Sequence, residues 1–206
     1  MISFEVELKP LSLLTVGSPA TVELWADIPF YKLNVPDKNE PVTVIPASTV
    51  KGVLRSSLTR VAESFGFRCC DTHQECKACI CCELFGSSDF PSKIFVDDFV
   101  ATSRTVIVSH VCLDDATGRA KERALFTVES IPPEASVFTG RIEVEDRPDL
   151  LKAALLALAA LRTDRIGRSG FVDVKLANID QIPPEVKNKL GEFEQLLRFL
   201  GEWAWV

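Results

Sequence analysis

Residues 44–65 read Val-Ile-Pro-Ala-Ser-Thr-Val-Lys-Gly-Val-Leu-Arg-Ser-Ser-Leu-Thr-Arg-Val-Ala-Glu-Ser-Phe. Pro46, Ser48 and Thr49 form a helix-start signal, and Val50, Val53, Leu54, Leu58, Val61, Ala62 and Phe65 then recur at helical spacing. The spacing predicts a helix over 46–65 with one buried face. On its other face Lys51 and Arg55 stand four residues apart beside the positive helix N-terminus, an arrangement that suits a phosphate.

Outward from this helix, Met1 to Gly17 alternates Phe4, Val6 and Leu8 with charged residues, the pattern of a half-buried strand and not of a signal peptide. The full order reads strand 2–9, helix 46–65, strand 94–100, a two-stranded excursion over 104–130, strand 136–145, helix 148–161 and strand 171–177. This β-α-β-β-α-β succession predicts an α+β, ferredoxin-like (RRM-type) core in one domain spanning 1–206. Pro183-Pro184 opens a further amphipathic helix with Val186, Leu190, Phe193, Leu197 and Leu200 at helical spacing. Segments 17–43 and 67–82 exceed what such a core needs, and long insertions in compact domains are disproportionately functional.

With 206 residues and 47% hydrophobic composition, the chain can bury a full core. Its 23 Lys and Arg are outnumbered by 29 Asp and Glu, so the net charge is -6 and generic attraction to nucleic acid is not predicted. Any nucleic-acid site is therefore local, and basic residues concentrate at Lys51 to Arg60, Arg119 to Arg123 and Arg162 to Arg168. A solvated charged face is the competing reading of each. The apolar run Ala153 to Leu161 is too short for a membrane span, and with no signal peptide a cytoplasmic location is expected.

Six of the seven cysteines, Cys69, Cys70, Cys76, Cys79, Cys81 and Cys82, crowd into the 67–82 insertion together with His73. The odd total and dense clustering argue against a disulfide framework and for a metal. Cys76-x-x-Cys79 and Cys79-x-x-Cys82 let adjacent thiolates turn back onto one ion, so the preferred set is Cys70, Cys76, Cys79 and Cys82, with Cys69 or His73 able to replace Cys70. Structural zinc is the leading ion and an iron–sulfur cluster its rival. Cys112 stands apart and reads as a buried small hydrophobe, and His110, in Ile107-Val108-Ser109-His110-Val111, as an ordinary strand histidine.

Ile45-Pro46-Ala47-Ser48-Thr49-Val50-Lys51-Gly52-Val53-Leu54-Arg55 resembles the IPGSSLKGxLR signature of the RAMP superfamily of type III CRISPR effector complexes. Cys82-Glu83-Leu84-Phe85-Gly86-Ser87 is similar to the family's LFG segment, before which some members carry a zinc-bound loop. Gly167-Arg168-Ser169-Gly170-Phe171-Val172 resembles its glycine- and arginine-containing loop. Leu113-Asp114-Asp115-Ala116-Thr117-Gly118 resembles the Ile-Asp-Arg-x-Thr-Gly thumb hairpin, with Asp115 where a basic residue is usual. The resemblance implies RNA contacts at Ser48, Lys51, Arg55, Arg119, Arg165, Arg168 and Ser169, with guide RNA, target RNA, other type III subunits and copies of the chain in a filament as partners. Leu24-Trp25-Ala26-Asp27-Ile28-Pro29-Phe30-Tyr31-Lys32 resembles the segment in which target-cleaving backbone subunits carry an aspartate. That likeness makes Asp27 the catalytic candidate, with magnesium or manganese at the phosphate, and a turn aspartate is the plain alternative. Thr15-Val16-Gly17 departs from relatives that place a histidine before the glycines.

Three functions compete at this stage. They are an RNA-binding backbone subunit that cleaves guide-matched target RNA, a non-catalytic scaffold or guide-processing relative, and a metal–thiolate redox protein supported by the cysteines alone.

Overall fold

A computed structural model describes residues 1–18, 25–34, 41–70 and 79–205. In chain order the elements are β1 (Ile2–Pro10), β2 (Lys32–Leu33), β3 (Val42–Ile45), α1 (Ala47–Val61), α2 (Ile80–Phe85), β4 (Ile94–Val96), β5 (Phe99–Ala101), β6 (Val106–Leu113), β7 (Ala120–Ser130), β8 (Phe138–Val144), α3 (Pro148–Leu161), β9 (Arg165–Ile166), β10 (Gly170–Leu176), α4 (Pro184–Leu190) and α5 (Glu194–Leu200). The main sheet is antiparallel in the order β2-β3-β5-β8-β1-β10-β9, with β4 also paired to β8, and β6 and β7 form a separate two-stranded ribbon. The α+β expectation holds.

Alternation in β1 buries Phe4, Val6 and Leu8 and leaves Glu5 exposed, which directs one face of the sheet to the core. Val50, Leu54 and Leu58 of α1 and nine buried residues of α3 share that core with Val172, Val174, Ile142 and Val144. Helix α3 is apolar almost all round because it is covered by α1, α2, α4, α5 and the sheet. Pro148 starts it as read from the sequence, since a proline at the first helical position gives up no hydrogen bond.

Three expectations need correction. The start of α1 has no side-chain cap from Ser48 or Thr49; the Ala47 N–H donates instead to Asp98 Oδ1 at 2.7 Å, so a carboxylate already occupies part of this helix terminus. The strand expected over 94–100 is two short strands separated at Asp97 and Asp98, where Asp98 turns to make that cap. The single C-terminal helix is two, α4 and α5, interrupted at Gly191, whose φ of 58° ends α4. Among the described residues no helix is long and apolar enough to cross a membrane.

Candidate functional site

The hairpin turn between β6 and β7 is built by its own sequence. Asp114 Oδ1 accepts from the N–H groups of Ala116 and Thr117 at 3.0 and 2.9 Å and from the Thr117 hydroxyl at 3.1 Å, and Gly118 takes the left-handed φ of 63°. These hydrogen bonds hold the Asp114 carboxyl below its ordinary range, the Thr117 N–H first. Asp115 and Arg119 are exposed in the turn, while Val106, Ile107, Val111, Leu113 and Leu125 expose apolar surface along the ribbon, Leu125 at 71%. Cys112 is also exposed, which corrects its reading as a buried hydrophobe: it lies at the outer end of β6, most of whose side chains are exposed.

At the base of the ribbon the two faces of β7 do different things, because successive side chains point to opposite sides. Phe126 and Ser130 face the 167–170 loop. The Arg168 guanidinium lies over the Phe126 ring at 4.9 Å, and His110 stacks on Phe126 with ring centroids 5.4 Å apart. Leu13, Thr15, His110, Ser130, Arg168 and Ser169 line a cavity of about 230 Å³. The loop is pinned there by the Arg168 N–H, which donates to the Thr15 carbonyl at 2.9 Å. Gly167, at φ 60°, must be glycine, since a Cβ would run into that same carbonyl.

Thr127 and Glu129 face the other way, toward residues 25–34. Asp27 is exposed, and its Oδ2 accepts from the Thr127 N–H at 2.6 Å and the Thr127 hydroxyl at 2.9 Å. These bonds, the main-chain one foremost, lower the Asp27 pKa. Trp25 stands close by in the chain, 58% exposed. Arg168 and Ser169 are thus brought together with His110, and Asp27 is on the opposite side of the same strand.

Lys51 and Arg55 lie elsewhere, on α1 against the loop after α2. Lys51 Nζ donates to Ser92 Oγ at 2.7 Å, and Arg55 donates to the Gly86 carbonyl and reaches Cys82 Sγ at 4.0 Å. Burial, and secondly the charge of Arg55, lower the Lys51 pKa. Ser48 is exposed on the first turn of α1, and Arg165 is exposed with its guanidinium 5.0 Å from the Phe171 ring. Arg162, counted among the basic residues of 162–168, is buried inside the protein and takes no part in a surface.

Cys70, Cys79 and Cys82 bring their sulfur atoms within 4.8 Å of one another. Cys70 Sγ is 3.3 Å from Cys82 Sγ and 3.7 Å from Cys79 Sγ, close to the edge of about 3.8 Å that a tetrahedron of thiolates 2.3 Å from zinc requires. Cys79 also caps α2, accepting the Cys82 N–H at 3.3 Å. The chemistry and spacing of this trio fit a tetrahedral thiolate ion with one more donor. Cys76 and His73 lie outside the described residues. Cys69 is joined to Cys81 in a disulfide with Cα atoms 5.4 Å apart, which corrects the expectation of no disulfide and removes Cys69 from the ligand alternatives. The pairing was hidden because a sequence does not show that α2 folds back to bring Cys81 onto the residue before Cys70.

Sequence reasoning missed Thr127 and Glu129 and gave His110 no role. The alternation of β7 was the available signal, but nothing local marks which face meets the 25–34 segment. No curated protein matches the chain. The family model described as the RAMP superfamily matches residues 7–206, so the chain, already carrying the motifs at 45–55, 82–87, 113–118 and 167–172, belongs to the RAMP superfamily.

Proposed function

We propose that the protein is an RNA-holding backbone subunit of a type III CRISPR interference complex that cleaves guide-matched target RNA, with Asp27 as its catalytic residue. Membership of the RAMP superfamily supports a CRISPR-associated RNA-binding subunit and favours it over a metal–thiolate redox role. The strand order β5-β8-β1-β10, with α1 and α3 as crossovers, supports a ferredoxin-like core, with the β6–β7 ribbon read as its thumb insertion.

The observation that carries the catalytic reading is an exposed carboxylate fixed by the base of the thumb through Thr127. A lowered pKa makes Asp27 a weak base near neutral pH but a good hydrogen-bond acceptor and cation ligand. Its role is therefore to orient the ribose 2′-hydroxyl of the target. That oxygen bonds to the adjacent phosphorus as the bond to the 5′-oxygen breaks, with the 2′ proton passing to solvent and the leaving 5′-oxygen taking a proton from solvent, which leaves a cyclic phosphate and a 5′-hydroxyl. Magnesium or manganese, held by the Asp27 carboxylate, would offset charge on the phosphate, since such ions bind through one or two carboxylates and keep waters.

Guide RNA is held by Ser48, Lys51, Arg55, Arg119, Arg165, Arg168 and Ser169 in this reading, with copies of the chain lined up along it. Zinc at Cys70, Cys79 and Cys82, completed by Cys76, organises the 67–82 loop and leaves no open position for substrate. The test is target cleavage by the assembled complex carrying Asp27→Asn in every copy. Loss of cleavage with target binding retained is expected, because a group acting at the transition state adds little to ground-state affinity. Unchanged cut rates would leave a scaffold without catalysis.

A further inference from the structure

We propose that Thr127 and Glu129 are positioning residues that fasten the Asp27 segment to the thumb hairpin, so that hairpin and carboxylate keep one fixed relation to the sheet; the catalytic part of this rests on the reading of Asp27 above. The main chain begins the attachment. Ile28 N–H donates to the Thr127 carbonyl at 3.0 Å and Glu129 N–H to the Ile28 carbonyl at 2.9 Å, which lays residues 27–28 along the free edge of β7 as a short parallel third strand. Two such bonds are a weak hold for a loop, and a two-stranded ribbon is itself marginal.

Side chains two apart on β7 supply the rest. Thr127 meets Asp27 twice, because its hydroxyl donates to Oδ2 and also accepts the Asp27 N–H at 3.1 Å. Both Thr127 donors go to Oδ2, so Thr127 leaves Oδ1 for a substrate. Glu129 is only 3% exposed, and a carboxylate is tolerated at that depth only when its oxygens are satisfied. Oε2 accepts the Phe30 N–H at 2.9 Å, and Oε1 accepts from Lys32 Nζ at 2.6 Å and the Thr105 hydroxyl at 2.5 Å.

The donors come from both sides of a junction. Residues 27–28 ride on the hairpin, whereas Lys32 is already in β2 of the main sheet, paired with Thr43, and Tyr31 N–H donates to the Val16 carbonyl at 2.9 Å. Glu129 therefore ties a hairpin strand to the sheet through one carboxylate, and Thr127 fixes which Asp27 oxygen is presented.

The experiment compares Thr127→Val, Thr127→Ser and Glu129→Gln with Asp27→Asn, reading hydrogen exchange in the full chain and target cleavage in the assembled complex. Thr127→Val keeps the shape and loses the hydroxyl, so the Asp27 amide should exchange roughly tenfold faster and cleavage should fall roughly 10- to 100-fold, with target binding and melting temperature unchanged. Thr127→Ser should restore both. Glu129→Gln, which keeps an acceptor but unpairs Lys32, should speed exchange at Phe30. Unaltered exchange at both Asp27 and Phe30 overturns the attachment. Faster exchange with full cleavage, while Asp27→Asn is dead, overturns the positioning role. Full cleavage by Asp27→Asn removes the catalytic reading instead, and the exchange data alone then decide the attachment.

Discussion

Arg162 and Asp173 form a buried ion pair, Nε to Oδ1 at 3.0 Å, with exposures of 3% and 0%. The pair anchors the end of the chain. Arg162 also donates to the Val174 and Phe199 carbonyls, and Asp173 Oδ2 accepts the N–H groups of Ala204 and Trp205 at 2.7 and 2.9 Å. Lys9 Nζ and Lys175 Nζ both lie over the Trp203 ring, 5.1 and 5.4 Å from its centroid.

Asp173→Asn should cost about 3 kcal/mol, because it leaves the Arg162 charge buried without its counter-ion. Chemical denaturation measures the loss, and exchange at Ala204 and Trp205 should rise with it. A variant as stable as the parent would mean that the carbonyl acceptors alone suffice for Arg162.

One zinc per chain is expected from elemental analysis of the purified protein. Cys82→Ser should release it and loosen the 67–82 insertion, since the ion would tie Cys70 to Cys79 and Cys82. The sheet and α3 should stay folded by circular dichroism. Iron with sulfide, or no metal at all, refutes the zinc assignment.

Arg168→Glu should weaken guide binding about equally for all sequences, because phosphate contacts do not read bases. The salt slope should fall by about 1, as one counterion fewer is released. Titrations at several salt concentrations check both. Lys51→Glu should also weaken binding, and it should in addition lower stability, because Lys51 is tied to Ser92.

Glu129 should set an acid limit on the hairpin base. Burial alone would raise its pKa, but Lys32, Thr105 and the Phe30 N–H more than reverse that, so the folded value is depressed. The stability it contributes is therefore fully present above the unfolded value of about 4.3 and is lost as pH falls through the folded value. Exchange at Phe30, followed from neutral pH downward after correction for intrinsic rates, should rise only below about pH 4. A rise at pH 6 would contradict this.

What the sequence determined by itself was whatever a short stretch of chain decides. The alternation of Phe4, Val6 and Leu8 gave β1, the proline and apolar run gave α3 over 148–161, and Asp114, Thr117 and Gly118 carry a turn whose hydrogen bonds are all local. The Cys79-x-x-Cys82 spacing likewise placed two thiolates on one side of a helix start. Tertiary structure decided what depends on chain segments meeting from far apart. The Asp98 carboxylate caps α1 from 51 residues away, and Thr127 meets Asp27 across 100. Arg162, which looked like part of a basic surface, is internal because Asp173 and the C-terminal segment surround it. Side-chain periodicity reports burial along one element, whereas the partner of a buried charge is set by how elements pack, and no local pattern records that.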